Sequence, residues 1–239
     1  MTIHQLREKY DLQTSNGKSS NRYYEWKSTK LSLYGNKNLI VETATKSLIE
    51  FCDFLDFNKI PYSLFFGTLL GIYRDGKLIE YDADMDIFID SNYLNKFIES
   101  IPNLIRKDYE LLDIGEYDNY NKSAKDYKLC FAKNFDRIDV FFFRKYKGFL
   151  NENYRLGKWK FKTELVDGLK TINALDYNFK IPIHTEKLLK FMYGKKWRTP
   201  IQGKHCKPGG IKTNIKSFKK TLGYIKQRLL KTLNYLIRR

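Results

Sequence analysis

The sequence predicts an α+β fold, a mixed sheet flanked by helices, on three observations. Helix-like and strand-like stretches alternate in the first half of the chain, and several strand-like runs then follow one another directly. A composition of 42% hydrophobic and 16% aromatic residues is enough to build a core for them. The 239 residues suit one domain with an appendage: a polar, loosely organised lead-in (1–36), a folded body (37–205) and a terminal helix (206–239).

The elements read as follows. "NLIVETATKSLIEFCDFLDFNKI" places Leu39, Ala44, Leu48, Phe51, Cys52 and Leu55 at helical spacing, so a helix should end near Asn58, before Pro61. "YSLFF" reads as a short buried strand broken by Gly67, and "TLLGIYRDG" as a short helix. "DMDIFID" alternates polar and apolar residues as a strand does. "YLNKFIESIPNLIRK" reads as helical despite Pro102, and "YELLDIG", "KLCFAKN" and "RIDVFFFRK" as strands. Residues 147–185 mix short strands and loops, and "EKLLKFMYG" is a helix stopped by Gly194. Towards the C-terminus, Ile211, Ile215, Phe218, Leu222, Ile225 and Leu229 recur every three or four residues between lysines and arginines. That pattern is a basic amphipathic helix.

Asp82, Asp84 and Asp86 stand at alternate positions where an apolar strand begins. Carboxylates near a core are costly unless something neutralises them. Alternate residues of a strand share a face, so Asp84 and Asp86 point the same way, and Asp139 in "RIDVFFF" has the same setting. If the two strands pair, three carboxylates converge on one patch and form an oxygen-ligand set for Mg²⁺ or Mn²⁺. Upstream, Gly67 leaves backbone N–H groups accessible and Thr68 adds a hydroxyl at the start of a helix, a natural anion site. Arg74 on the same helix can grip a phosphate with two donors.

Taken together, these residues resemble the LicD/fukutin-related family of phosphotransferases. The family's Gly-Thr-Leu-Leu-Gly run, then an arginine and a glycine, has its counterparts in Gly67 to Gly71, Arg74 and Gly76. Its aspartate-rich strand resembles "EYDADMDIFI", its second acidic strand "RIDVFFF" and its C-terminal motif "IPIHTEKLLKFMYGKKWRTP". Tyr81 stands where tryptophan is usual, Glu80 where proline is common and Ala83 where many members have another aspartate.

The resemblance implies a nucleotidyltransferase-like core. It also implies transfer of a phospho-substituent, such as phosphocholine or an alditol phosphate, from a CDP-linked donor to a sugar hydroxyl, with CMP leaving. On that reading Asp84, Asp86 and Asp139 hold the metal, with Asp139 as third ligand or general base, and Asp82 stands behind them. Gly67, Thr68 and Arg74 hold the donor pyrophosphate. Lys196 and Arg198 close over donor or acceptor, and Trp197 either packs or stacks on the cytosine.

Charge and cysteine usage bound the setting. Lys187 to Arg239 carries 16 Lys or Arg and no acid, which leaves +1 of the net +17 for the rest of the chain. A tail of this kind seeks an anionic partner. Its helix at 211–239 can pack on the body, or lie on an anionic membrane where a lipid-linked glycan acceptor would be found. Cys52, Cys130 and Cys206 form no paired motif, and the polar N-terminus lacks a signal-like apolar stretch, so the expected location is cytoplasmic, or peripheral on the inner membrane face. Two other functions use the same features: a nucleotidyltransferase that leaves NMP on its acceptor, and a basic nucleic-acid-binding module. The second lacks a recognised motif, and its 18 Tyr and 17 Phe do not cluster into a stacking platform.

Overall fold

Two helices precede the first predicted helix: α1 (Ile3–Lys9) and α2 (Asn21–Tyr34). The computed structural model describes residues 1–12, 19–36, 38–118, 125–147, 152–157 and 159–200. The lead-in is therefore not loose in its described parts. Thr2 and Gln5 make a reciprocal capping box on α1, and the Ser20 side chain caps α2. The predicted helix at 206–239 lies outside the described residues.

The body follows as α3 (Val41–Phe57), β1 (Tyr62–Leu64), α4 (Phe66–Asp75), β2 (Met85–Asp90) and α5 (Leu94–Ile105). Next come β3 (Glu110–Asp118), β4 (Lys125–Lys133), β5 (Asp136–Lys147), β6 (Glu152–Leu156) and β7 (Trp159–Lys162). A single-turn α6 (Thr163–Val166), the hairpin β8 (Leu169–Ala174) with β9 (Tyr177–Pro182), and α7 (Thr185–Tyr193) complete it. The main sheet runs β1-β2-β5-β4-β3, with β6 on the far part of β5 and β7 on β6. The β2–β5 pair is parallel and the other pairs are antiparallel, so the sheet is mixed as expected. None of the described helices is long and apolar enough to cross a membrane.

Alternation gives the sheet two unlike faces. Ile87, Ile89, Ile138, Val140, Phe142, Leu129 and Phe131 are fully buried against α3 and α5. Phe51 of α3 and Phe97 of α5 lie 5.7 and 5.8 Å from the Phe131 ring, and Phe97 lies 5.2 Å from Phe142. Asp86, Asp139, Lys128 and Cys130 belong to the other face, as the register partners Asp86–Asp139 and Cys130–Asp139 require. Tyr23 and Trp26 of α2 cover part of that face, packing on Leu112, Cys130 and Ala132.

Helix α2 is pinned at both ends. Ser20 donates its N–H to Asp113 Oδ1 at 3.0 Å and its hydroxyl to the Leu112 carbonyl. Lys30, buried at 1% exposure, donates to the Phe135 carbonyl at 2.7 Å and lies 3.8 Å from Asp136 Oδ1. Asp136 in turn accepts the Ile40 N–H and the Thr43 hydroxyl, which joins α2, α3 and the β4–β5 turn.

Candidate functional site

The corner between β1 and α4 holds one residue, Asp86, at three points. The Phe65 N–H donates to the Asp86 carbonyl at 2.9 Å, and the Asp86 N–H donates to Thr68 Oγ1 at 2.7 Å. The Gly67 N–H points at Asp86 Oδ2 from 3.3 Å. Phe66 makes this turn with φ +41°, a region a bulky side chain avoids at a cost of about 1–3 kcal/mol. Its ring is held 4.8 Å from Phe65, 5.2 Å from Phe141 and 5.3 Å from Trp159. The strained turn thus puts the positive end of α4 against a carboxylate.

Parallel pairing sets Asp86 opposite Asp139, and Asp84 reaches the same patch from the loop just before β2. One oxygen from each of Asp84, Asp86 and Asp139 lies within 4.8 Å of the others. Ligands on opposite sides of Mg²⁺ stand about 4.2 Å apart, so small side-chain rotations suffice for all three to reach one ion. Asp139 Oδ1 is buried without a hydrogen bond, a donor oxygen that a cation would satisfy. The residues therefore fit a hard divalent metal.

Their charges are unequal. Burial, then the neighbouring Asp82 and Asp139, push the Asp86 carboxyl well above the usual carboxylate range. Burial pushes Asp139 up too, but Lys128 and Arg137 outweigh it and hold Asp139 below that range. Lys128 donates to Asp139 Oδ2 at 2.9 Å, and this contact keeps its ammonium charged against burial. Arg137 touches Asp84 through Nη2 and lies 3.5 Å from Asp139 Oδ1 through Nε. Neither cation was expected from the sequence. Both follow the alternation that exposed the acids: Arg137 is two residues before Asp139, and Lys128 two before its partner Cys130.

The predicted site residues divide into two groups. Gly67, Thr68, Asp82, Asp84, Asp86 and Asp139 gather at the corner. Within that group, two residues are turned towards Asp86. Thr68 is buried at 2% exposure with its hydroxyl turned to Asp86, and the Gly67 N–H faces the Asp86 carboxylate. Both therefore orient Asp86, Thr68 by accepting its N–H and Gly67 by facing its carboxylate. Arg74 is at the far end of α4, about 10 Å of helix rise from Gly67, and meets there the segment that carries Lys196, Trp197 and Arg198. Arg74 is engaged by Asp75 at 2.6 Å and lies 3.5 Å from the Trp197 carbonyl. Trp197 is buried between Tyr73 (6.0 Å) and the Arg198 guanidinium (4.2 Å), so it packs and leaves no face for a base. Arg198 pairs with Glu186 at 2.7 Å, and Lys196 is exposed.

Two glycines should fail differently when given a methyl group. A Cβ on Gly67 would sit 2.0 Å from Asp82 Oδ2, and a Cβ on Gly71 would sit 2.6 Å from the Lys77 carbonyl. A carboxylate can swing aside and a backbone carbonyl cannot. Gly67→Ala is expected to keep the melting temperature and weaken metal affinity about 10–100-fold, as changes beside metal ligands do. Gly71→Ala is expected to cost about 2 kcal/mol by overpacking, despite its better helix propensity. Thermal melts and Mn²⁺ titrations of the two variants check both.

The LicD/FKTN/FKRP nucleotidyltransferase domain matches residues 59–184. Among curated proteins, the chain is similar to the ribitol-5-phosphate transferase FKTN of Mus musculus, 28% identical over 148 residues. That alignment takes in 60% of this chain and 30% of the mouse protein, less than a third of the relative's length.

Proposed function

The chain belongs to the LicD/FKTN/FKRP nucleotidyltransferase-domain family, and from that premise we propose that it is a metal-dependent phosphotransferase. It moves a phospho-substituent, phosphocholine or an alditol phosphate, from a CDP-linked donor to a sugar hydroxyl of a cell-surface glycan. The acceptor hydroxyl oxygen forms the new bond to the distal phosphorus as the bridging P–O bond of the donor diphosphate breaks; CMP leaves with the bridging oxygen, and the hydroxyl proton is released to solvent. The observation that carries this reading is the meeting of Asp84, Asp86 and Asp139 across the β2–β5 pair within reach of one ion.

Mg²⁺ or Mn²⁺, when bound, would neutralise and orient the donor phosphates, which is most of what phosphoryl-type transfer needs. The chain's own residues prepare that position. Gly67 and Thr68 fix Asp86, and Lys128 with Arg137 keeps Asp139 ionised. Of the two roles open to Asp139, an acid held below the usual range suits a ligand better than a base. A lipid-linked acceptor would suit the basic stretch from Lys187 onward, of which residues 201–239 lie outside those described.

The test is incubation with Mg²⁺ and CDP-choline, CDP-ribitol, CDP-glycerol or CDP-ethanolamine, followed by nucleotide analysis and mass spectrometry of the acceptor. CMP release with one donor, abolished by a chelator, is expected. Nucleotide retained on the acceptor would overturn the reading in favour of nucleotidyl transfer.

A further inference from the structure

Two cations already lean on the carboxylates, and one is anchored from outside the matched domain. Arg137 spans Asp84 and Asp139, and its Nη1 donates to Tyr23 Oη at 2.8 Å with the guanidinium 5.7 Å from the Tyr23 ring. Tyr23 belongs to α2, which precedes residues 59–184. We propose that Arg137 and Lys128 form the anion-binding half of the site, taking the phosphate oxygens of a nucleoside diphosphate, and that Arg137 stands in for the metal until the metal arrives. The proposal rests on the reading that the carboxylates take a divalent cation and a phosphate-bearing donor.

Charge forces the exchange. Asp84 and Asp139 would give a divalent ion the oxygens that Arg137 now faces, and two like charges within a few ångströms would repel. Arg137 is mostly buried, at 15% side-chain exposure, and its Nε makes no hydrogen bond. A guanidinium in that position needs an anion once its carboxylates are taken. The Tyr23 phenol is uncharged and cannot be that anion, but its hydroxyl and ring keep the side chain beside the metal. A phosphate matches the guanidinium fork with two parallel hydrogen bonds. Lys128 lies on the other side of Asp139, 22% exposed, and adds a second positive charge. Metal and phosphate therefore favour one another's binding, with Arg137 as the element both displace or recruit. Tyr23 is a positioning residue, supplied by a helix that the family domain does not include.

The experiment uses the full chain, with Mn²⁺ alone and then CDP as probes in isothermal titration calorimetry. Arg137→Ala is expected to bind Mn²⁺ alone about tenfold more tightly, because a competing cation is gone, and CDP with Mn²⁺ about tenfold more weakly. Arg137→Gln keeps the stem without the charge and gives the same reading if the alanine variant does not fold. Tyr23→Phe, which keeps the ring, is expected to leave Mn²⁺ affinity unchanged and weaken CDP several-fold. Unchanged or weaker Mn²⁺ binding in the Arg137 variants, or unchanged CDP binding, would overturn the proposal. A wild-type protein that binds CDP through Arg137 yet releases no CMP from any donor would overturn the proposed reaction and support this site. Wild-type protein that binds no Mn²⁺ would overturn both.

Discussion

Asp84→Asn and Asp86→Asn are each expected to lower transfer by at least about 10³-fold while the protein stays folded. A bound metal contributes several kcal/mol of charge stabilisation in the transition state, and about 1.4 kcal/mol is a factor of ten. Asparagine keeps the shape, and at position 86 it can still accept the Gly67 N–H, so the corner survives while the ligand charge is lost. Near-normal CMP release by both variants would remove the metal reading. Stability should respond in the opposite sense. The Asp86 carboxyl is raised in the fold by burial and by Asp82 and Asp139. A group raised in this way favours the fold below the ordinary carboxylate range, and that stability is lost as pH rises through the folded value. Metal-free protein should therefore melt lower as pH rises from the ordinary carboxylate range through that value, Mg²⁺ should restore the melt, and Asp86→Asn should flatten the slope. Melts at a series of pH values, with chelator and with Mg²⁺, distinguish the three.

Lys30→Ala is expected to cost about 3–5 kcal/mol, the range for breaking a buried ion pair from one side. Lys30 and Asp136 have side-chain exposures of 2% and 0%. Without the ammonium, the Phe135 carbonyl loses its donor, and Asp136, whose carboxyl burial already pushes up, loses the cation that offsets this and keeps only its hydrogen bonds to Ile40 and Thr43. Lys30→Met, which keeps the stem, should lose most of the same stability. Lys46→Ala, at an exposed pair with Glu42 on α3, should change it by less than about 0.5 kcal/mol. Urea unfolding of the three variants makes the comparison, and a Lys30→Ala cost under about 1 kcal/mol would refute the clamp. Because α2 carries Tyr23 to Arg137, transfer should fall with the Lys30 variants as well.

The contrast between Lys30 and the three acids explains what could be read in the sequence. Helix α3, strands β1, β2 and β5, and α7 show themselves through apolar spacing, because each buries one face of ordinary hydrophobic residues. The acids were legible for the same reason: they interrupt such a pattern at alternate positions. Helix α2 hides because its inward face is Tyr23, Trp26 and Lys30, correctly spaced but polar at the deepest point. A buried lysine is visible only with its partners, and Phe135 and Asp136 lie about a hundred residues away. The inward turn of Thr68 and of the Gly67 N–H towards Asp86 is hidden on the same ground, since which way a polar group turns is set by tertiary neighbours. Pro102 did not end α5, which runs on to Ile105 with Phe97, Ile98, Ile101 and Leu104 buried.

Opposite residues on hydrogen-bonded strands are held about 4.8 Å apart by the main chain itself. Asp86 and Asp139 inherit that interval from the β2–β5 ladder, so the ruler between these two acids is backbone, and of the three only Asp84 depends on a loop. The remaining loops are thereby released to diverge with whatever molecule they must admit, while the gauge between the two acids stays fixed.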